Sequence, residues 1–438
     1  MKSNPRVCVI GAGPAGITTA KNLLQVGITP VVYERQDQIG GNWVFSPRLS
    51  HSSVYETTHI ITSKTLSAYD GFPMPDDYPD YPSHKQVLAY FQNYARHFGV
   101  DQCVRFNTEV VKAEKQPDET WRITLKDGTV ETFDYLFVAN GHHSDPRYPT
   151  YPGTFTGQML HSHDYKSAAP FRDQRVLVIG GGNSACDIAV ETGRISAFTA
   201  ISMRRGYFIS PKIVLGYPSD VLASKFNWLP RSIYLRLLRF SLWLAIGSNK
   251  QYGLPEPKHG ILEAHLVMNS ELLYNLRHGR VHPRPDIKCF DGKRVEFVDG
   301  RVEEYDTVIA ATGFRITFPF FDKALVDFED KLQVPLFLRM FHLDHPTLFF
   351  MGLFQPLGCI WPIADLQAKL AANLIAGNYR LPADARAQTQ REVELIARRH
   401  ISTPRHSIEV EYHELYNALK RAIPANAPAW TAHTKVKA

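Results

Sequence analysis

The sequence predicts an α/β fold of two doubly wound parallel sheets, one inserted into the other. Three observations in the 438-residue chain carry this expectation. The stretch RVCVIGAGPAGITTAKNLLQVGITPVVYER, Arg6 to Arg35, is echoed by RVLVIGGGNSACDIAVETGRISAFTAISMRR, Arg175 to Arg205. Each has an apolar strand, a glycine cluster, a run with helical apolar spacing, and a second strand ending in charge. That is a β-α-β unit with a phosphate-binding turn, written twice. Behind each copy lies a buried-type strand closing in glycine, DYLFVANG at 134–141 and DTVIAATG at 306–313. Fully apolar strands of this kind belong in a parallel sheet covered on both faces. Finally, Asp-Gly turns mark β-hairpins within 121–138 and 294–311.

The chain is therefore two Rossmann-like domains of similar plan. The expected limits are 1–168 for the first part of one dinucleotide-binding domain, 169–308 for a second inserted into it, and 309–438 to complete the first.

Composition removes several alternatives. Hydrophobic residues make up 44% and charged residues 21%, an ordinary globular balance. The net charge of +6 is spread without a basic block, which argues against nucleic acid as a partner. Five scattered cysteines without a C-x-x-C pair argue against a disulfide scaffold, a zinc site and a dithiol centre. His142 and His143 have no third ligand at metal spacing, so no metal is expected. Met1–Ser3 run directly into the Val7–Ile10 strand without room for a signal peptide. The apolar stretch at 232–247 is broken by Arg236 and Arg239, so no transmembrane anchor is expected and a cytoplasmic setting is the default.

In the first turn, Gly11 makes the tight bend, Gly13 lets a pyrophosphate approach the backbone, and Gly16 permits close helix–strand packing. Pro14 and Ala15 complete the turn, and the helix N-terminus faces the anion. Glu34 follows Gly11 by 23 positions, where a carboxylate accepts ribose hydroxyls and repels a 2′-phosphate. The second turn, Gly180-x-Gly182-x-x-Ala185, is followed 24 positions after Gly180 by Arg204 and then Arg205. A guanidinium fork suits a 2′-phosphate. The pair of endings implies FAD in the first site and NADPH in the second. With no C-x-x-C, such a flavin points towards oxygen chemistry.

The linker PGTFTGQMLHSHDYK at 152–166 contains Phe155-x-Gly157-x-x-x-His161-x-x-x-Tyr165, which resembles the identifying motif of class B flavin-containing monooxygenases. Related Baeyer–Villiger enzymes usually have Trp in place of Tyr165. Gly40-Gly41-Asn42-Trp43, the stretches at 70–98 and 141–149, and GLFQPLGCIWPIADLQA at 352–368 are similar to further family segments. The resemblance implies that NADPH reduces FAD, oxygen adds as a C4a-hydroperoxide, and bound NADP⁺ shields it until an amine or sulfide takes the distal oxygen. The partners implied are a small lipophilic substrate and molecular oxygen, with a homodimer as an open expectation. Carried over singly, Gly11, Gly13, Gly16, Glu34, Asn42, Trp43 and Gln355 would hold FAD. Ser184, Asp187, Arg204 and Arg205 would hold NADPH, and Pro14, Ala15, Thr62, Gly182, Asn183 and Thr312 join the cofactor-binding set.

One position departs from the pattern. In HIITSKTL at 59–66, Ser63 and Lys64 fit, but the residue three before Lys64 is Ile61, where the family usually has asparagine near the flavin. Thr62, Ser63, His59 or a water then supplies the missing polar group, or the oxygen chemistry is altered. Ile61, Thr62 and Ser63 are accordingly the candidate catalytic positions.

Three rivals follow: a Baeyer–Villiger-type or carbon-directed oxygenase, an NADPH oxidase releasing hydrogen peroxide, and a slow flavin redox sensor. His161 and Tyr165 are read as hinge packing and interdomain hydrogen bonding ahead of direct chemistry. The aromatic-rich 226–247 stretch is read as a buried helix or partner surface, with an access cap or shallow membrane contact as alternatives. From the polar ending Thr431–Ala438, no apolar C-terminal anchor of the kind seen in animal members of the family is expected.

Overall fold

The computed structural model describes residues 4–48, 51–401 and 403–428. The termini discussed above, Met1–Ser3 and Thr431–Ala438, lie outside the described residues. The chain forms two compact units: Met1–Phe45 with Lys64–Asp145 and Arg315–Ala438, and Ser46–Ser63 with Pro146–Phe314.

In the first unit, β1 (Val7–Ile10), α1 (Pro14–Gln25) and β2 (Val31–Tyr33) form the expected β-α-β element. The echo strand β3 (Tyr135–Val138) pairs parallel with β1 on its other side. Leu348–Phe350 and Val104–Arg105 complete a five-stranded, wholly parallel sheet. Pro14 stands in the first turn of α1, where its missing N–H costs nothing. α1 packs on helix Ile360–Ile375 through a buried polar knot. The Asp365 carboxylate accepts from Lys21 Nζ at 3.3 Å and Asn22 Nδ2 at 2.9 Å, and also from the Thr18 hydroxyl. A buried charge needs such partners, and here they hold the helix against its neighbour.

The second unit repeats the plan. β4 (Arg175–Ile179), α2 (Asn183–Thr192) and β5 (Phe198–Ser202) are joined by the second echo strand, β6 (Thr307–Ala310), again parallel to the first strand of the element. Both hairpins form about their Asp-Gly turns, with Gly128 at φ +88° and Gly300 at φ +83°, which L-residues rarely adopt.

The expected limits at 168 and 308 differ from this division. Gln158–His161 already pairs parallel with β6, and Gly153–Phe155 pairs with Ile287–Gly292, so the inserted unit begins at Pro146. It ends at Phe314, after Ala311 N–H has donated to Ile179 O and Arg147 N–H to Gly313 O. Residues 46–63, expected in the first domain, also belong to the second unit.

The helix Arg231–Ile246 buries only Leu242. Phe240 and Trp243 are each 59% exposed and Leu244 is 70% exposed, so the expected burial does not occur. Apolar groups all round a helix cannot all face the one side that touches its own fold. Among the described residues no helix is long and apolar enough to cross a membrane.

Candidate functional site

The three glycines of the first turn have separable physical roles. Gly11 sits at φ +103°, and a Cβ there would lie 2.6 Å from Ala139 O. A Cβ at Gly16 would lie 1.9 Å from Gly11 O, so only hydrogen permits α1 to approach β1 this closely. A Cβ at Gly13 would meet nothing nearer than Gly41 Cα at 3.6 Å. Space beside the N-cap of a helix whose first N–H groups have no intrahelical partner is a cradle for an anion. Glu34 is buried at the end of β2 and accepts from Ala12 N–H at 2.7 Å and Gln36 N–H at 2.9 Å. Each oxygen keeps acceptor capacity for a ribose hydroxyl. These residues fit the pyrophosphate and ribose of FAD.

Asn42 and Trp43 lie in the 3₁₀ turn Gly41–Trp43, with the Trp43 ring 5.4 Å from that of Trp361 in T-shaped contact. Gln355 Oε1 is 3.3 Å from His142 Nε2. Burial holds the His142 imidazole below its ordinary pKa, which favours the neutral ring.

In the second unit Gly180, at φ +134°, would bring a Cβ 2.4 Å from Ala311 O, repeating the constraint at Gly11. Gly182 caps α2 without a side chain and Ser184 is exposed beside it. Arg204 and Arg205 follow the carboxyl end of β5, Arg204 exposed and Arg205 with its Cζ 5.4 Å from the Tyr207 ring centre. Two of the predicted nucleotide ligands have other engagements. Asn183 Oδ1 accepts from Met268 N–H at 2.7 Å, and the Asp187 carboxylate accepts from Tyr55 Oη and Asn269 Nδ2, each at 2.5 Å. The Thr312 hydroxyl donates to Arg147 O.

Ile61 is 39% exposed and Ser63 is buried. Ser63 donates its N–H to the Asp220 carboxylate at 2.6 Å, whereas its Oγ has no hydrogen-bond partner among the described residues. The adjacent Lys64 belongs to the first unit, its ammonium held by the carbonyls of Asp76 and Tyr78 at 2.9 and 2.5 Å. That interaction orders the proline-rich loop.

All four motif residues of the linker are accounted for within the second unit. Phe155 packs on Phe290 with ring centres 5.6 Å apart, and a Cβ at Gly157 would lie 2.5 Å from Asp306 O. His161 is fully buried, its Nδ1 accepting from His163 N–H at 3.1 Å. Tyr165 Oη donates to Glu191 at 2.6 Å, a partner that sequence reasoning missed. The only available signal was the i, i+4 spacing of Asp187 and Glu191 on a helix.

Burial pushes the His161 imidazole down to about 4. The folded state then binds fewer protons than the unfolded state below the ordinary value near 6.5, so stability is lost as pH falls from 6.5 towards 4. Urea midpoints across that window are expected to fall, with a shallower decline in His161→Gln. An equal decline in both proteins would exclude His161 as the titrating group.

Two phosphate-binding turns, one closed by a carboxylate and one by paired guanidiniums, define a protein that binds two dinucleotides. Comparison with known proteins extends this. The Flavin-binding monooxygenase-like family model matches residues 4–431. Flavin-containing monooxygenase 5 of Rattus norvegicus is 35% identical over 431 residues, covering 93% of this chain and 80% of the relative. Dimethylaniline monooxygenase [N-oxide-forming] 2 of the same organism is 35% identical over 404 residues, covering 86% and 75%. Among solved structures, the S-allyl-L-cysteine S-oxygenase of Allium sativum superposes with a TM-score of 0.72 at 24% identity, covering 96% of this chain and 88% of that one. A cyclohexanone monooxygenase does so with a TM-score of 0.72 at 17% identity, covering 96% and 97%. The chain belongs to the flavin-binding monooxygenase-like family. It is an oxidoreductase, a flavin-containing monooxygenase that uses FAD and NADPH.

Proposed function

We propose that this monooxygenase oxygenates a nitrogen or sulfur atom of a small lipophilic compound. The observation that carries the cofactor arrangement behind this reading is the opposed charge at the ends of the two β-α-β elements, Glu34 in one and Arg204–Arg205 in the other. FAD would lie on the first unit, its pyrophosphate over Gly13, Pro14, Ala15 and Gly16, its ribose on Glu34, with Asn42, Trp43 and Gln355 nearby. NADPH would lie on the second, over Gly182 and Ser184 with its 2′-phosphate on Arg204 and Arg205. The bound flavin supplies activation of oxygen. The chain's part is to orient both nucleotides and keep proton donors away from the reacting oxygen. Support for nitrogen or sulfur comes from the N-oxide-forming relative and the S-oxygenase neighbour. Among the described residues none of the five cysteines forms a disulfide, which suits a cytoplasmic setting, and a homodimer is the assembly to test by light scattering.

The test is rapid mixing of NADPH-reduced protein with oxygenated buffer, following the flavin spectrum with and without a simple sulfide. A slow return to the oxidised spectrum, hastened by the sulfide with formation of sulfoxide, is the expected outcome. A fast return with stoichiometric hydrogen peroxide would overturn the reading in favour of an oxidase.

Ile61 favours a second reading, a carbon-directed or peroxide-releasing enzyme, because its side chain has neither donor nor acceptor. An Ile61→Asn variant is expected to raise organic product per NADPH about twofold to tenfold, the worth of one hydrogen bond. Unchanged product and peroxide yields would show that position 61 does not tune the site.

A further inference from the structure

Residues 51–63 have no regular helix or strand, yet the second unit holds them at five separate points. Lys166 Nζ donates to Ser52 O at 2.6 Å, and Lys166 O accepts from Glu56 N–H at 2.9 Å. Tyr55 Oη donates to Asp187, the Thr57 hydroxyl donates to Glu191, and Ser63 N–H donates to Asp220. Asp187 and Glu191 are four apart on α2 and therefore share one face. On that face the rings of Tyr55 and Tyr165 meet edge-on, centres 5.6 Å apart. Tyr165 in turn donates to Glu191, so the last residue of the linker motif and the 51–63 segment converge on one carboxylate. A hydrogen bond to a carboxylate is roughly twice as strong as a neutral one.

We propose that Asp187 and Glu191 are positioning residues which, with Tyr55 and Tyr165, clamp segment 51–63 to α2, so that Ile61, Thr62 and Ser63 are carried by the nicotinamide-binding fold. The inference rests on the reading that positions 61–63 serve the oxygen chemistry. It reassigns Asp187 from nucleotide ligand to clamp.

The groups facing Glu191 are Tyr165, Asp187, Arg194 and Glu56. Those facing Asp187 are Tyr55, Lys212 and Glu271. Burial first, and then the neighbouring Asp187, push Glu191 up to about 7, while Tyr165 and Arg194 pull the other way. The closed clamp then binds a proton that a released segment gives up between the ordinary glutamate value of 4.5 and about 7. Closure weakens as pH rises through that window and is constant above it.

Hydrogen exchange on the purified full chain tests this. Protection factors for the amides of residues 54–58 are expected to fall with rising pH between 5 and 7, by at most about tenfold per unit for one proton. Glu191→Gln, which keeps the acceptor but cannot ionise, is expected to flatten that slope. Read above pH 7, where Glu191 is ionised, Tyr165→Phe is expected to lower protection of the same amides about tenfold, the loss of one hydrogen bond to a charged group, while β4 and β6 keep theirs. In turnover, Tyr165→Phe is expected to lower organic product per NADPH severalfold while the KM for NADPH moves less than twofold. Protection unchanged in both variants, or lost uniformly across the unit, would overturn the clamp. Looser 54–58 amides with unchanged product yield would overturn its positioning role. Exchange is read without substrate, so a failed nitrogen or sulfur assignment would leave that arm standing.

Discussion

Gly16→Ala is expected to yield little folded, flavin-bearing protein, whereas Gly13→Ala is expected to fold and lose its flavin. The two residues lie three apart in one turn, and their environments are opposite. At Gly16 the new methyl would lie 1.9 Å from Gly11 O, a backbone atom that cannot swing aside. α1 would have to lift from β1, and with it the buried Asp365 contacts to Lys21 and Asn22. Ordinary overpacking costs about 1–3 kcal/mol, and a backbone collision at this distance stands at or above that range. Together with the loss of the buried Asp365 contacts, that removes a large part of a total stability of about 5–15 kcal/mol. At Gly13 the methyl would make only ordinary van der Waals contact with Gly41, so the fold is untouched. The pyrophosphate is then pushed from the helix N-terminus, and losing one or two charged hydrogen bonds lowers FAD affinity about a hundredfold. Thermal melting and the flavin-to-protein absorbance ratio separate the two effects. A Gly13→Ala protein with a full complement of tightly held FAD would show that the phosphate does not lie there.

The second large effect is on nucleotide choice. The unmodified enzyme is expected to prefer NADPH strongly, and the Arg204→Ala, Arg205→Ala double variant to lose most of that preference. Each guanidinium would make charged hydrogen bonds worth about 1.5–3 kcal/mol in a protected setting. Arg204 is exposed, so the lower end applies there, about a tenfold change in the NADPH-to-NADH ratio of kcat/KM. Arg205 is steadied over Tyr207, so Arg205→Lys, which keeps the charge without the fork, is expected to recover only part of the loss. The effect should shrink as salt is raised. Equal use of NADH and NADPH by the unmodified enzyme would remove the arginine pair from the site.

Local spacing made much of this legible. Both β-α-β elements and both Asp-Gly hairpins depend on periodicity and on turn residues only a few positions apart. The glycine roles and the charge at each second strand's end follow from the same short-range geometry. Segment 51–63 was not legible in this way. Its anchors, Asp187, Glu191 and Lys166, lie more than a hundred residues away. Asp187 shows the same limit, because its place on the first turns of α2 suits a nucleotide ligand and gives no sign that Tyr55 and Asn269 donate to it. The 231–246 helix shows the converse, an apolar composition that by itself reads as buried but leaves only Leu242 covered.

From its sequence alone, this chain determined two Rossmann-like folds, its FAD and NADPH cofactors and its monooxygenase family. Those properties reside in residues close together along the backbone, where steric and dihedral constraints act. Only the tertiary structure decided where the inserted unit begins and ends, which unit holds positions 61–63, and which carboxylates accept hydrogen bonds from tyrosines. Such choices depend on desolvated side chains meeting partners from distant parts of the chain, and no local pattern encodes them.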